Sequence, residues 1–183
     1  MGQGYREISD KLKAFIENQK IFFVGTAAAE GSVNVSPKGL DTLRVIGKNR
    51  IAWLNLTGSG NETSAHVQQN PRMTLMFCAF EGKPMILRLY GIARVVHQNE
   101  QHWDELYSFF QAMPGARQIF DVGITLVQTS CGMAVPCFDY SGDREQLIGW
   151  AKGKGKAGIR SYWKDKNQMS LDGIATQIVE KSS

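Results

Sequence analysis

The sequence predicts a mainly β, α+β fold: a small antiparallel barrel with helical additions. Three observations carry that expectation. Six or seven short apolar runs read as strands, turn signals separate most of them in hairpin fashion, and helical periodicity is confined to the chain ends and two short insertions.

Ser9 can cap a first helix, in which Leu12, Phe15 and Ile16 recur at helical spacing and which should end near Gln19. Residues 21–27 (IFFVGTA) read as a buried strand, with Glu30-Gly31 as its turn and residues 33–37 as the hairpin partner, whose apolar residues alternate at Val33 and Val35. Residues 43–46 and 50–56 form a second pair across Gly47-Lys48-Asn49. The polar run Thr57-Gly58-Ser59-Gly60-Asn61 leads into a short helix over 62–69, ended by Asn70-Pro71. Ser59 and Glu62 have capping-box spacing, and Asn61 is the alternative cap.

Residues 73–80 and 85–96 make a third and longer hairpin, whose second strand carries Arg88 and Arg94. Trp103, Leu106, Tyr107 and Phe110 then predict an amphipathic helix over 100–113, stopped by Pro114-Gly115. Residues 122–129 return to strand character. Beyond Pro136 the pattern turns helical, with Leu147, Ile148 and Trp150 separated from Ile159, Tyr162 and Trp163 by the glycine- and lysine-rich stretch 152–158. The 183 residues read as one domain, with a helical C-terminal extension over about 138–183.

Several function classes drop out on composition and spacing. The net charge of +4 is carried by residues 143–166, which hold seven basic and three acidic residues, so the rest of the chain lacks the basic footprint of a duplex-binding protein. A solvated helical face is the plain reading of that basic segment. Cys78, Cys131 and Cys137 form no CxxC pair and no secreted disulfide framework, so a reducing cytoplasm is expected. No stretch approaches the ~20 apolar residues of a membrane helix, and the N-terminus lacks the apolar core of a signal peptide. The three histidines show no zinc spacing and read as polar surface residues, and Gly58-Ser59-Gly60 lacks the nucleophile-elbow spacing of a hydrolase.

The loop 57–63 is more informative. Gly58 and Gly60 allow close backbone approach, Ser59, Asn61 and Thr63 supply donors, and a helix start favours an anion. Ser36-Pro37-Lys38 leaves one strand and Arg44 lies on the next, so cations are expected near the same region. These residues point to a phosphate-bearing ligand.

The wording SPKGLDTLRV, LTGSGNETSAH, NPRMTLMFCAFEG and LRLYG, followed by VQTSCGMAVP, resembles the pyridoxamine 5'-phosphate oxidase-like family of FMN-binding split barrels. It is similar to a bacterial subgroup of that family, distinct from the oxidase proper. The resemblance implies a split barrel, a homodimer with flavin sites at the subunit interface, and FMN as cofactor. It places the flavin along the strands containing Val35, Ser36, Pro37 and Lys38 and Trp53, Leu54, Asn55 and Leu56, with the phosphate at Asn61-Glu62-Thr63. The oxidase proper has Ser-Arg-Lys at those last three positions, and its C-terminal substrate motif is absent here, which argues against vitamin B6 synthesis.

A flavin-dependent oxidoreductase of unassigned small-molecule substrate is therefore expected, with Trp53, Leu56 and Arg88 lining or tuning the pocket or, for Trp53 and Leu56, filling the core. A non-catalytic carrier of flavin, deazaflavin or haem is the alternative, and a barrel that has lost its ligand is a third. A carboxylate aimed at a phosphate about 4 Å away would cost several kcal/mol. Glu62 is accordingly expected to turn back and cap the helix through Ser59, leaving Lys38, Arg44, Asn61 and Thr63 for the phosphate.

Overall fold

A computed structural model describes residues 2–182. The elements in order are β1 (Gln3–Tyr5), α1 (Asp10–Asn18), β2 (Phe22–Ala27), β3 (Val33–Lys38), β4 (Leu43–Gly47), β5 (Arg50–Leu56), α2 (Glu62–Gln69), β6 (Arg72–Cys78), β7 (Ile86–His97), α3 (Trp103–Tyr107), β8 (Ala116–Ser130), α4 (Gln146–Lys166) and α5 (Ile178–Lys181). All eight strands belong to one antiparallel sheet of order β3-β2-β6-β7-β8-β5-β4, with β1 added on β8. The fold is thus α+β, as the hairpin pattern predicts.

The sheet wraps on itself without pairing its two end strands. Strands β2 and β5 are four steps apart in the hydrogen-bonded order, about 19 Å if the sheet were flat. The rings of Phe22 on β2 and Trp53 on β5 nevertheless meet edge to face at 6.2 Å. Trp53 stacks on Phe120 at 4.6 Å and Phe22 on Phe77 at 5.9 Å, so aromatic contacts across the barrel close the core. Leu12 and Ile16 of α1 join this cluster, and the Ser9 side chain caps the helix by accepting from the Leu12 N–H. Opposite Tyr90 and Gly91 the register skips Thr125, a β-bulge that bends β8 against β7. A Cβ at Gly91 would lie 2.5 Å from the Gly123 carbonyl oxygen, so only glycine fits there.

Several expectations are corrected. Val33 and Val35 alternate along β3 as expected, but on its outer face: they are 74% and 65% exposed, and the polar members of the same strand turn inward. The polar residues take the inner face because Asn34 and Ser36 find hydrogen-bond partners there. The helix expected over 100–113 is regular only over Trp103–Tyr107, after which Phe109 and Phe110 bond three residues back and tighten the turn; Trp103, Leu106 and Phe110 are still buried. The stretch 152–158 is helical apart from Gly155, whose φ of 60° and ψ of 177° break α4 into two helices. His66 and His97 are wholly buried, one against Thr26 and the other against Ser182, and only His102 is a surface residue. β1, a strand beyond the expected six or seven, joins the sheet, and β8 starts at Ala116, six residues earlier than expected.

The C-terminal extension packs on its own small apolar cluster of Ala151, Ile159, Trp163 and Ile178. No described helix is long and apolar enough to cross a membrane.

Candidate functional site

The inward face of β3 builds the first wall of the site. Asn34, Ser36 and Lys38 are two residues apart and therefore share that face. Ser36 Oγ donates to Asn34 Oδ1 at 2.9 Å, while Asn34 Nδ2 donates to Thr26 Oγ1 and to Thr63 Oγ1, both at 3.1 Å. Thr26 in turn meets His66 Nδ1 at 3.2 Å. This chain of polar contacts fixes the start of α2 against an edge strand.

Lys38 lies at the end of the row, with Nζ 5.1 Å from the centre of the Trp53 ring. On a flat sheet those two strands would stand about 24 Å apart, so the wrapping creates this contact. Among the described residues no carboxylate forms an ion pair with Lys38. Burial lowers its pKa to about 8, the Arg117 charge acts in the same direction, and Glu62 opposes both.

Arg117, on β8, is a site residue that sequence reasoning missed. Its buried guanidinium donates through Nη2 to the Gly60 carbonyl at 2.8 Å and through Nη1 to the Gly58 carbonyl at 3.3 Å, and Nε has no partner among the described residues. Burial lowers its pKa to about 10, while Tyr162 and Glu62 pull the other way. The signal available in the sequence was a lone arginine entering the apolar strand ARQIFDV.

The helix start differs from the expected arrangement. Glu62 does turn back, but to the Asn61 N–H at 2.9 Å rather than to Ser59, and its other oxygen accepts from the Leu171 N–H at 3.2 Å. Burial works to raise its pKa, yet hydrogen bonds from the N–H groups of Glu62, Asn61 and Leu171 hold it below the ordinary value. The Asn61 side chain makes no cap. It donates to the carbonyls of Lys166 and Met169 and accepts from Asn167, whose Nδ2 also donates to the Gly58 carbonyl. Trp163 Nε1 donates to Thr57 Oγ1 at 2.9 Å, and Asp172 holds Ser32 before β3. The C-terminal extension thus fastens both the loop and the entry to β3.

The other expected residues divide clearly. Val35 is exposed on the outer face and Pro37 follows it on the same side. Trp53 and Leu54 are buried in two different apolar clusters, Asn55 is buried against Gln118, and Leu56 packs at the edge of the second cluster. Arg44 donates to both Asp41 carboxylate oxygens and to the Phe109 carbonyl, which leaves its guanidinium committed there. Arg88, on the central strand β7, donates to Ser130 of its neighbour β8. A separate opening of about 270 Å³ lies between α1 and β4, lined by Phe22 and Phe77 with the charged residues Glu17, Lys20, Asp41 and Arg44. It begins at Gly39, immediately after Lys38.

An incompletely closed antiparallel barrel with a polar row on one edge strand and a fastened loop at a helix start defines a split-barrel class. The family model described as pyridoxamine 5'-phosphate oxidase matches residues 8–131, and the chain belongs to that family. Pyridoxamine 5'-phosphate oxidase family protein ustO of Aspergillus flavus is 36% identical over 146 residues, which cover 77% of this chain and 59% of that relative's length. HupZ of Group A Streptococcus, solved as a single-site variant, superposes with a TM-score of 0.54 at 16% identity, covering 67% of this chain and 99% of that one. A Lactobacillus delbrueckii protein of the pyridoxamine 5'-phosphate oxidase type gives 0.52 at 16% identity, covering 67% and 94%. The family match ends at Cys131, so the fastening extension lies outside it.

Proposed function

We propose that the chain is a flavin-dependent oxidoreductase that binds FMN along β3 and acts on a small molecule. The observation that carries this reading is the polar Asn34-Ser36-Lys38 row, held to Thr63 at its Asn34 end and closed at the other by the Lys38 ammonium above Trp53, which pairs with no carboxylate among the described residues. Such a row offers hydrogen bonds to a polar planar ligand and a single cation for an anionic tail. The residues fit the group in part: Lys38, Ser36 and Thr63 would hold it, whereas Asn61 and Arg44 are already committed. FMN supplies hydride chemistry when bound, and the chain orients it and excludes water. The opening beside Gly39 would admit the substrate.

The proposed assembly is a homodimer in the cytoplasm. β3 is an end strand whose outer face presents Val33 and Val35, and a second subunit would cover that apolar edge. Cys131 and Cys137 are free and exposed, which suits a reducing compartment.

The decisive experiment is the visible spectrum of natively purified protein, followed by identification of the released chromophore and by reduction with NADH or NADPH. Flavin maxima and turnover with an acceptor are expected. A flavin without turnover makes the chain a carrier, and a haem Soret band or a colourless sample overturns the flavin reading. Sedimentation should give twice the 20.4 kDa monomer mass.

A further inference from the structure

The net charge of the chain is concentrated on one helix. Between Gln146 and Lys164, α4 carries Lys152, Lys154, Lys156, Arg160 and Lys164 and no carboxylate, while the chain outside residues 143–166 holds as many acidic as basic residues. All five cations are exposed, and among the described residues none of them forms an ion pair; the pair on this helix joins Lys166 to Asp165 in its last turn. The helix is folded rather than straight. Gly155 breaks it, and the rings of Trp150 and Tyr162 meet at 5.0 Å. On an unbroken helix those residues would stand about 18 Å apart along the axis, so the two halves turn toward each other behind the rings. Lys156, Arg160 and Lys164 form one row on the second half, at about 6 Å per step. Lys154 joins the start of that row, since a Cβ at Gly158 would lie 3.2 Å from its own Cβ. The row alongside is Ala157 and Ser161, too short to mask the cations, and it ends in Asp165.

We propose that this face of α4 binds the phosphodiester backbone of a nucleic acid without reading its bases. A regular row of exposed cations complements a strand of regularly spaced single charges, and lysine meets phosphate as a point charge that needs no fixed geometry. The same face is poorly suited to other polyanions. No exposed apolar side chain larger than Ala157 stands between residues 150 and 166 to enter a bilayer. The core of a protein interface is depleted in lysine and enriched in aromatic residues, whereas Trp150 and Tyr162 are half-buried against each other. The cations are confined to one helix, so binding is weak and salt-sensitive. The surface lies outside residues 8–131, which match the family, and its role does not depend on the flavin reading.

The test is fluorescence anisotropy of the full chain with labelled oligouridylate, oligoadenylate and a mixed-sequence DNA duplex, each of about 20 nucleotides per strand. With about five phosphate contacts, log K should fall against log salt with a slope of about −3 to −4 on the single strands and about −4 to −5 on the duplex. The two single strands should bind within about threefold of each other, and the tighter of single strand and duplex identifies the source of the backbone. Replacing Lys156, Arg160 and Lys164 together by Gln should make the single-strand slope shallower by about 2 and weaken binding in about 50 mM salt by roughly tenfold or more. All three side chains are exposed, so the urea midpoint should stay in place. Replacing the exposed Lys11, Lys13 and Lys48 by Gln removes the same net charge elsewhere and should leave affinity within about threefold. Equal losses in the two triple variants, or a preference of about tenfold or more for one base, overturns the proposal. So does binding only to phosphatidylserine vesicles or to polyglutamate, or the absence of saturable binding to any oligonucleotide in about 50 mM salt.

Discussion

The barrel and the C-terminal extension are held by different kinds of contact. The barrel buries one large apolar cluster, with Trp53, Phe77 and Phe120 almost fully enclosed and stacked or edge-packed rings spanning it. The extension has four buried apolar residues of its own and meets the barrel largely through directed hydrogen bonds: Trp163 to Thr57, Asn167 to Gly58 and Asn61, Leu171 to Glu62, and Asp172 to Ser32. Apolar burial is non-directional and tolerates small shifts, whereas a hydrogen bond fails steeply with geometry. The barrel therefore provides stability, and the extension provides the placement of the loop and of Glu62.

The largest expected effect comes from breaking the barrel. Trp53→Ala removes the ring between Phe22 and Phe120 and should cost about 3 to 5 kcal/mol, read as a lower urea midpoint. Because the extension depends on the loop that follows β5, it should unfold in the same transition. An extension that melts separately would show that it is an independent unit.

Acid should strike next, and at the seam between the regions. His97 ends β7 and lies 3.3 Å from Ser182. Burial lowers its pKa from 6.5 to about 4, and the charges of Lys181 and Arg117 add to that shift. Between those values the unfolded chain binds a proton that the folded one refuses. Stability on the order of 3 kcal/mol is thus present above the unfolded pKa and is lost as pH falls from about 6.5 toward 4. Urea titrations at neutral pH and near pH 4.5 measure it, and a His97→Gln variant should lose most of that dependence. Equal acid sensitivity in the variant would place the effect elsewhere.

Asn167→Ala sharpens the contrast further. It deletes the donor to Gly58 and Asn61, for an expected loss of about 1 to 2 kcal/mol. Hydrogen exchange should quicken in the loop and in α4 while the central strands β7 and β8 stay protected. The smallest effect belongs to an exposed pair on the barrel. Lys48→Ala, which breaks the 3.1 Å contact with Glu7, should change stability by less than about 0.5 kcal/mol.

Much of the barrel is legible in the sequence because its hairpins are local: 50–56 and 62–69 have the bounds that their patterns predict, and the Ser9 cap follows from three residues of spacing. Less of the candidate site is. Lys38 and Thr63 stand out in the sequence, and both lie on the groove. Arg117 and Asn167 do not, since their partners lie 57 and 109 residues away in the chain.

Local periodicity and turn chemistry thus determined the strands, the short helix after the glycine loop and the α+β class. The tertiary structure decided the phase of β3, which depends on partners for Asn34 across two other elements. It also decided that Arg44 binds Asp41 and Phe109 while Arg117 underlies the loop. Periodicity says which residues share a face, but the partner that makes burial of a polar face favourable comes from elsewhere in the chain, and only the wrapped sheet brings it there.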